Sequence, residues 1–179
     1  MWFKFTLRCF GFFSLLLLVN CGFHLRGQVT LNNHLKTIFL KTANPYGELA
    51  RNLRETLKSS GSVIATDPKQ ADIILAIINE QQSNQQTNVS STQQTRQYTL
   101  VSSVSFAILT PENQQLVAPQ TINETRTLTT NANTTLADSN EVTTLYQQMH
   151  SAIVFDLMSR LASHNMNEQL NNYFKKSKK

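Results

Sequence analysis

Cysteine is nearly absent from this chain: two in 179 residues, Cys9 and Cys21. Cys9 lies inside an apolar leader, so no disulfide and no thiolate metal site can form beyond it. The fold must then rest on one hydrophobic core, which about 140 residues can supply. Glycine is scarce too, five in all, with no phosphate-binding loop and no G-x-S-x-G. His24, His34, His150 and His164 follow no metal-ligand spacing. These gaps argue against catalytic residues, a metal and a cofactor, and so against an enzyme. Long hydrophobic runs are missing as well. The longest, Cys9 to Val19, is eleven residues. As a helix it would rise about 16 Å, roughly half the hydrocarbon thickness of a bilayer.

That run follows Lys4 and Arg8 and ends at Asn20-Cys21-Gly22, the pattern of a secretory signal over residues 1–20. Leu15 to Cys21 resembles the lipobox of bacterial lipoproteins, in which the cysteine is acylated and becomes the mature N-terminus. Asn20 stands where that motif usually has Gly or Ala. The resemblance implies S-diacylglycerol and N-palmitoyl groups on Cys21. Two or more chains, each worth about 0.8 kcal/mol per buried CH₂, anchor a protein without a span. Loss of the leader removes Lys4 and Arg8 and lowers the net charge from +5 to +3. Gly22 fits sorting to the outer membrane by the same resemblance. Residues 21–35 read as the lipidated N-terminus and a polar tether. His24 and Arg26 sit in that tether beside the headgroups.

Lys36 to Lys41 reads as a first strand. Asn44-Pro45 predicts a helix start, Leu49, Leu53 and Leu57 its core stripe, and Gly61 its end. Ala71 to Ile78 is apolar without alternation, a strand covered on both faces or at least central in its sheet, and parallel to the first through a βαβ crossover. Asn79 to Gln97 holds seven glutamines and no Gly or Pro. It either extends both flanking strands or forms a mobile hairpin tip, and composition favours the tip. Tyr98 to Ile108 alternates as a long strand, and Thr110-Pro111-Glu112-Asn113 marks a hairpin. Leu116 to Thr130 returns as a Thr-rich strand, with Pro119 at an edge or bulge. Asp138 and Glu141 form a candidate capping box for a helix with Val142, Leu145, Met149, Ile153 and Leu157 inward. His150 and Asp156 read as polar flank residues of that helix. Residues 164–179 read as a polar, basic, flexible tail. The sum is an α+β, two-layer sandwich over 36–163: a four-stranded mixed β-sheet with two helices packed on one face.

Three stretches carry a wider resemblance: Cys21-Gly22-Phe23-His24-Leu25-Arg26, Asn44-Pro45-Tyr46-Gly47 opening a helix, and Gln94-Thr95-Arg96-Gln97-Tyr98 opening a strand. From Cys21 to about Leu161 the chain resembles the LptE family of LPS-assembly lipoproteins. The resemblance implies an outer-membrane lipoprotein that plugs an LptD-like β-barrel, assists its assembly and takes part in lipopolysaccharide insertion. Its partners would be that barrel, lipopolysaccharide and the membrane, with no nucleic acid. Family members contact lipopolysaccharide through cations near the second hairpin and before the last helix. Ser91 and Thr92 stand where one such cation is expected, and Arg96 is the candidate in its place. A lipoprotein pilot for another outer-membrane complex, such as a secretin, would instead need an apolar peptide groove. A periplasmic lipid carrier would need a sizeable apolar cavity.

Overall fold

The structure, a computed structural model, describes residues 31–89, 95–131 and 140–177. Cys21, the leader, Ser91, Thr92 and Asp138 of the capping box lie outside the described residues. The elements run β1 (Thr37–Lys41), α1 (Glu48–Ser59), β2 (Val63–Ile64), β3 (Ile73–Val89), β4 (Thr95–Leu109), β5 (Gln115–Asn131), α2 (Asn140–Leu161) and α3 (His164–Ser177). The sheet order is β2-β1-β3-β4-β5. β1 is parallel to both of its neighbours, and β3, β4 and β5 are antiparallel. The α+β class and the parallel β1/β3 pair match the sequence reading.

Three features correct it. The sheet has five strands, not four, because Val63 and Ile64 pair with Thr37 and Ile38 at the edge beyond β1. Two residues are too few to show a periodicity. The pair is held by Val63 N–H to the Lys36 carbonyl (2.7 Å) and by Ser62 Oγ–H to the Leu35 carbonyl (2.7 Å). Secondly, the described residues form three α-helices rather than two. The polar tail expected over 164–179 is a helix over His164–Ser177. Met166 and Leu170 are buried in the main core, Phe174 packs against it, and His34 stacks on Phe174 with ring centroids 4.1 Å apart. Their spacing of four was masked by the polar residues between them. The same packing orders the end of the expected tether, where Leu35 is fully buried in a single 3₁₀ turn.

Thirdly, α1 starts at Glu48 with Gly47 as N-cap, not at Asn44. Asn44-Pro45-Tyr46-Gly47 forms a turn, closed by Gly47 N–H to the Asn44 carbonyl (3.2 Å). A Cβ at Gly47 would meet the Asn44 side chain at 2.6 Å, so a larger residue there would displace the end of that side chain. The far end of α1 is as expected. Gly61 takes a φ of 90°, with Gly61 N–H bonded to the Lys58 carbonyl and Ser62 N–H to the Leu57 carbonyl, a Schellman closure.

Main-core side chains from α1, α2 and α3 cover one face of the sheet: Leu53, Leu57, Ile153 and Leu157 meet Ile38, Leu75, Phe106 and Ile108. Ile74, Ala76 and Ala107, of opposite parity, are buried too. β3 is therefore covered on both faces from Ile73 to Ile77, as its unbroken apolar run predicted.

β3, β4 and β5 continue far beyond this core. Ile77 pairs with Phe106 but Asn79 with Ser105, so Ile78 is an extra, bulged residue, 56% exposed. The segment expected as a mobile tip is strand as far as Val89, its register fixed against β4. β5 forms the opposite edge. Phe106 pairs with Gln120 and Ile108 with Val117, which sets Ala118 and Pro119 opposite Ala107 alone. Proline at an edge bulge forfeits no ladder bond.

Candidate functional site

The three-stranded arm beyond Ile77 is where residues of unusual chemistry gather. On the side facing α2, β3 presents Glu80, Gln82 and Asn84, while β4 and β5 present Leu100, Val104, Ile122 and Leu128. Leu100, Leu128 and Met149 form a small second core, with Val142, Leu145 and Tyr146 at its margin. A polar row separates it from the main core. Gln82, Ser102 and Glu124 lie side by side across the three strands.

His150 of α2 sits at this border, 4% exposed. Its Nε2 lies 2.9 Å from the Gln82 amide nitrogen and 3.6 Å from a Glu80 carboxylate oxygen, and its Nδ1 lies 3.5 Å from Glu48. The Gln82 amide nitrogen donates to Nε2, while the buried Nδ1 has no hydrogen-bond partner and only the Glu48 carboxylate beside it. One imidazole thus ties the start of α1, the arm of β3 and the middle of α2. Asp156 plays no part, since it pairs with Arg160 at 2.9 Å, one turn along the same helix. Reading His150 as a flank residue missed a second buried stripe, His150, Val154 and Met158, beside the predicted one. Its i+4 spacing was the available signal.

Toward the tip, the Tyr146 hydroxyl donates to the Ser83 carbonyl (3.0 Å). Burial pushes the Tyr146 phenol up from its ordinary value, and a hydrogen bond with the Asn84 side chain offsets part of that rise. Arg96 lies on β4 between Val89 and Thr130, partly exposed. It points to the same side as Tyr98 and Leu100. No ion pair joins it to another described residue, whereas Arg126 is held by Glu124 at 3.1 Å. Arg96 is thus the arm's available cation. The structure does not bring it together with the His150 cluster.

An open cleft of about 390 Å³ lies where the β3 bulge meets the end of β1, lined by Thr42, Asn44, Ile77, Ile78, Glu80 and Gln82 among others. Among the described residues no cluster of His, Cys, Asp and Glu has the makings of a metal site, and no helix is long and apolar enough to cross a membrane.

Residues 35–161, from the 3₁₀ turn to the end of α2, match the family described as LptE, lipopolysaccharide-assembly. The chain belongs to the LptE family. The matched span holds the whole sheet, α1 and α2, while α3 lies beyond it. Among curated relatives of this LptE-family chain, the LPS-assembly lipoprotein LptE of Yersinia enterocolitica is 30% identical over 149 residues, which is 83% of this chain and 71% of the relative. Two solved structures share the fold. Lipoprotein B from Nitrosomonas europaea has a TM-score of 0.66 at 21% identity, covering 81% of this chain and 93% of that one. The rare lipoprotein B from Shewanella oneidensis has a TM-score of 0.63 at 23% identity, covering 74% and 98%.

Proposed function

We propose that the protein works in lipopolysaccharide assembly as a lipid-anchored lipoprotein of the outer membrane. In this reading Cys21 carries the anchor and the folded domain plugs an LptD-like β-barrel and assists its assembly. Arg96 contacts lipopolysaccharide as it passes to the outer leaflet. The observation that carries the reading is the family match across the whole sheet together with α1 and α2. The architecture supports it in two ways. The arm offers amides and hydroxyls to its surroundings, as suits a body enclosed in a polar barrel lumen. Arg96, free of any described carboxylate, suits a phosphate group.

The test is an affinity pull-down of the tagged, full-length protein from detergent-solubilised outer membranes, with mass spectrometry of retained proteins and of the peptide that begins at Cys21. The expected result is an LptD-like barrel in one-to-one ratio and an acylated Cys21. Retention of a secretin, or of no barrel, overturns the reading.

A further inference from the structure

The arm wears its charges on the wrong side for a sheet that faces water. Successive side chains of a strand point to opposite faces, so register and parity assign every arm residue to one of them. Glu80, Arg96, Glu124 and Arg126, the charged residues of the described arm, all lie on the face toward α2. The outward face carries none. It is built from Asn79, Gln81, Ser83 and Gln85 of β3 and from alternate residues of β4 (Thr95 to Ser105) and β5 (Thr121 to Asn131). Every one of these is Ser, Thr, Asn or Gln except Val101. The β3 and β5 members are exposed. Asn88, Thr95, Gln97 and Thr129 line a shallow hollow of about 190 Å³ at its far end. A solvated protein surface is typically about a quarter to a third charged, whereas the centres of interfaces are depleted of charge. A charge buried against a partner keeps a desolvation penalty unless it is paired, while an amide or hydroxyl both donates and accepts and so adapts to many polar surfaces.

The other routes of contact are narrower. The open edge of β5 is partly blocked. Carbonyls of one parity accept from side chains: Thr121 from Arg160 (3.3 Å), Thr125 from Arg126 (2.9 Å) and Asn131 from Thr130 (2.9 Å). Pro119 has no N–H to offer there. β2 at the opposite edge is two residues long. Strand addition therefore finds no clean ladder at β5 or β2, whereas β3 beyond Ala76 is paired on its β4 side alone and keeps an open edge. The inner face is covered by the helices, and the outer side of α1 displays Arg51, Glu55 and Lys58, all exposed.

We propose, resting on the barrel reading above, that the uncharged outward face of β3–β5 is the surface laid against the wall of the barrel. The occupant it fits is a polar wall that is itself poor in charge at the contact. Opposing charges would find no counter-ion on this face. The charged α1 side then packs less closely on that wall.

The experiment places a photo-cross-linking residue at Ser103 or Thr125 on the sheet face, or at Arg51 or Lys58 on α1, in the full-length acylated protein in cells. Adducts are identified by mass spectrometry. Expected is an LptD-like barrel adduct from Ser103 and Thr125 at about tenfold or more the yield from Arg51 and Lys58. Barrel adducts in equal yield from both faces, or from α1 alone, overturn the face assignment and leave the barrel reading standing. No barrel adduct from any position overturns both. As a second measurement, Thr125→Lys should reduce co-purified barrel about tenfold while Lys58→Glu does not. Circular dichroism and an unchanged melting midpoint establish that Thr125→Lys is folded. Full barrel recovery with folded Thr125→Lys counts against the proposal.

Discussion

The same three strands pass through two unlike regions. Near β1 they are apolar on both faces, with Leu75 and Phe106 against the helices and Ile74 and Ala107 behind. Beyond Ile78 the apolar side chains of β4 and β5 lie on the inner face, Val101 apart, and β3 turns to amides and a carboxylate. The first region gains stability from burial; the second holds its shape through backbone pairing, a small core and polar contacts to α2. Order in a strand thus does not require a core on both sides, provided the ladder is long and a helix pins part of it. Local stability should differ accordingly.

The largest effect should come from the first region. Phe106→Ala removes a fully buried ring from the main core and should lower unfolding stability by about 3–5 kcal/mol in urea melts, with loss of the whole fold. Leu100→Ala in the second core should lose less, about 2–3 kcal/mol. Hydrogen exchange should report that loss first in ladder amides of the arm such as Ser83 and Leu128, while Leu75 keeps its protection. Equal loss of protection at Leu75 would mean that the two regions are one cooperative unit. His150→Leu tests the join between them. Gln82, Glu48 and Glu80 would face an apolar side chain, lowering stability by about 1–3 kcal/mol.

The smallest effect concerns Tyr146. Tyr146→Phe deletes the bond to the Ser83 carbonyl and should lower stability by about 0.5–1.5 kcal/mol at neutral pH. The phenol's pKa is raised in the fold, so the folded state holds its proton more tightly than the unfolded chain. That contribution is complete below about pH 10 and is lost as pH rises through the folded value. Urea melts between pH 8 and pH 11 should therefore fall more steeply for the wild type than for Tyr146→Phe.

Much of the fold was legible because periodicity is a local signal. Leu49, Leu53 and Leu57 gave α1, Gly61 its end, the run from Ala71 the central strand, and Pro119 an edge bulge. What escaped depended on distance. β2 exists because Leu35 and Lys36 offer carbonyls to Ser62 and Val63. α3 is held because Met166, Leu170 and Phe174 meet the main core and His34. The glutamine-rich stretch has no core of its own, and its strand forms only because Tyr98 to Phe106 supply a partner ladder. Among candidate functional residues, Arg96 was reachable through its sequence neighbours. The His150 cluster was not, since Glu48 and Glu80 come from elements far away in the chain.

Ile78 is a single uncounted beat. Before it, odd-numbered residues of β3 face the helices; after it, even-numbered ones do, so Glu80 and Gln82 reach His150 and Gln81 and Ser83 look outward. Were Ile78 to pair with Ser105 in regular alternation instead of bulging, composition would be untouched yet the start of the arm would turn over like a page. Glu80 would then point outward, and Asn79 and Gln81 would take the places beside the imidazole. Which face of the arm carries charge is thus decided by arithmetic as much as by chemistry.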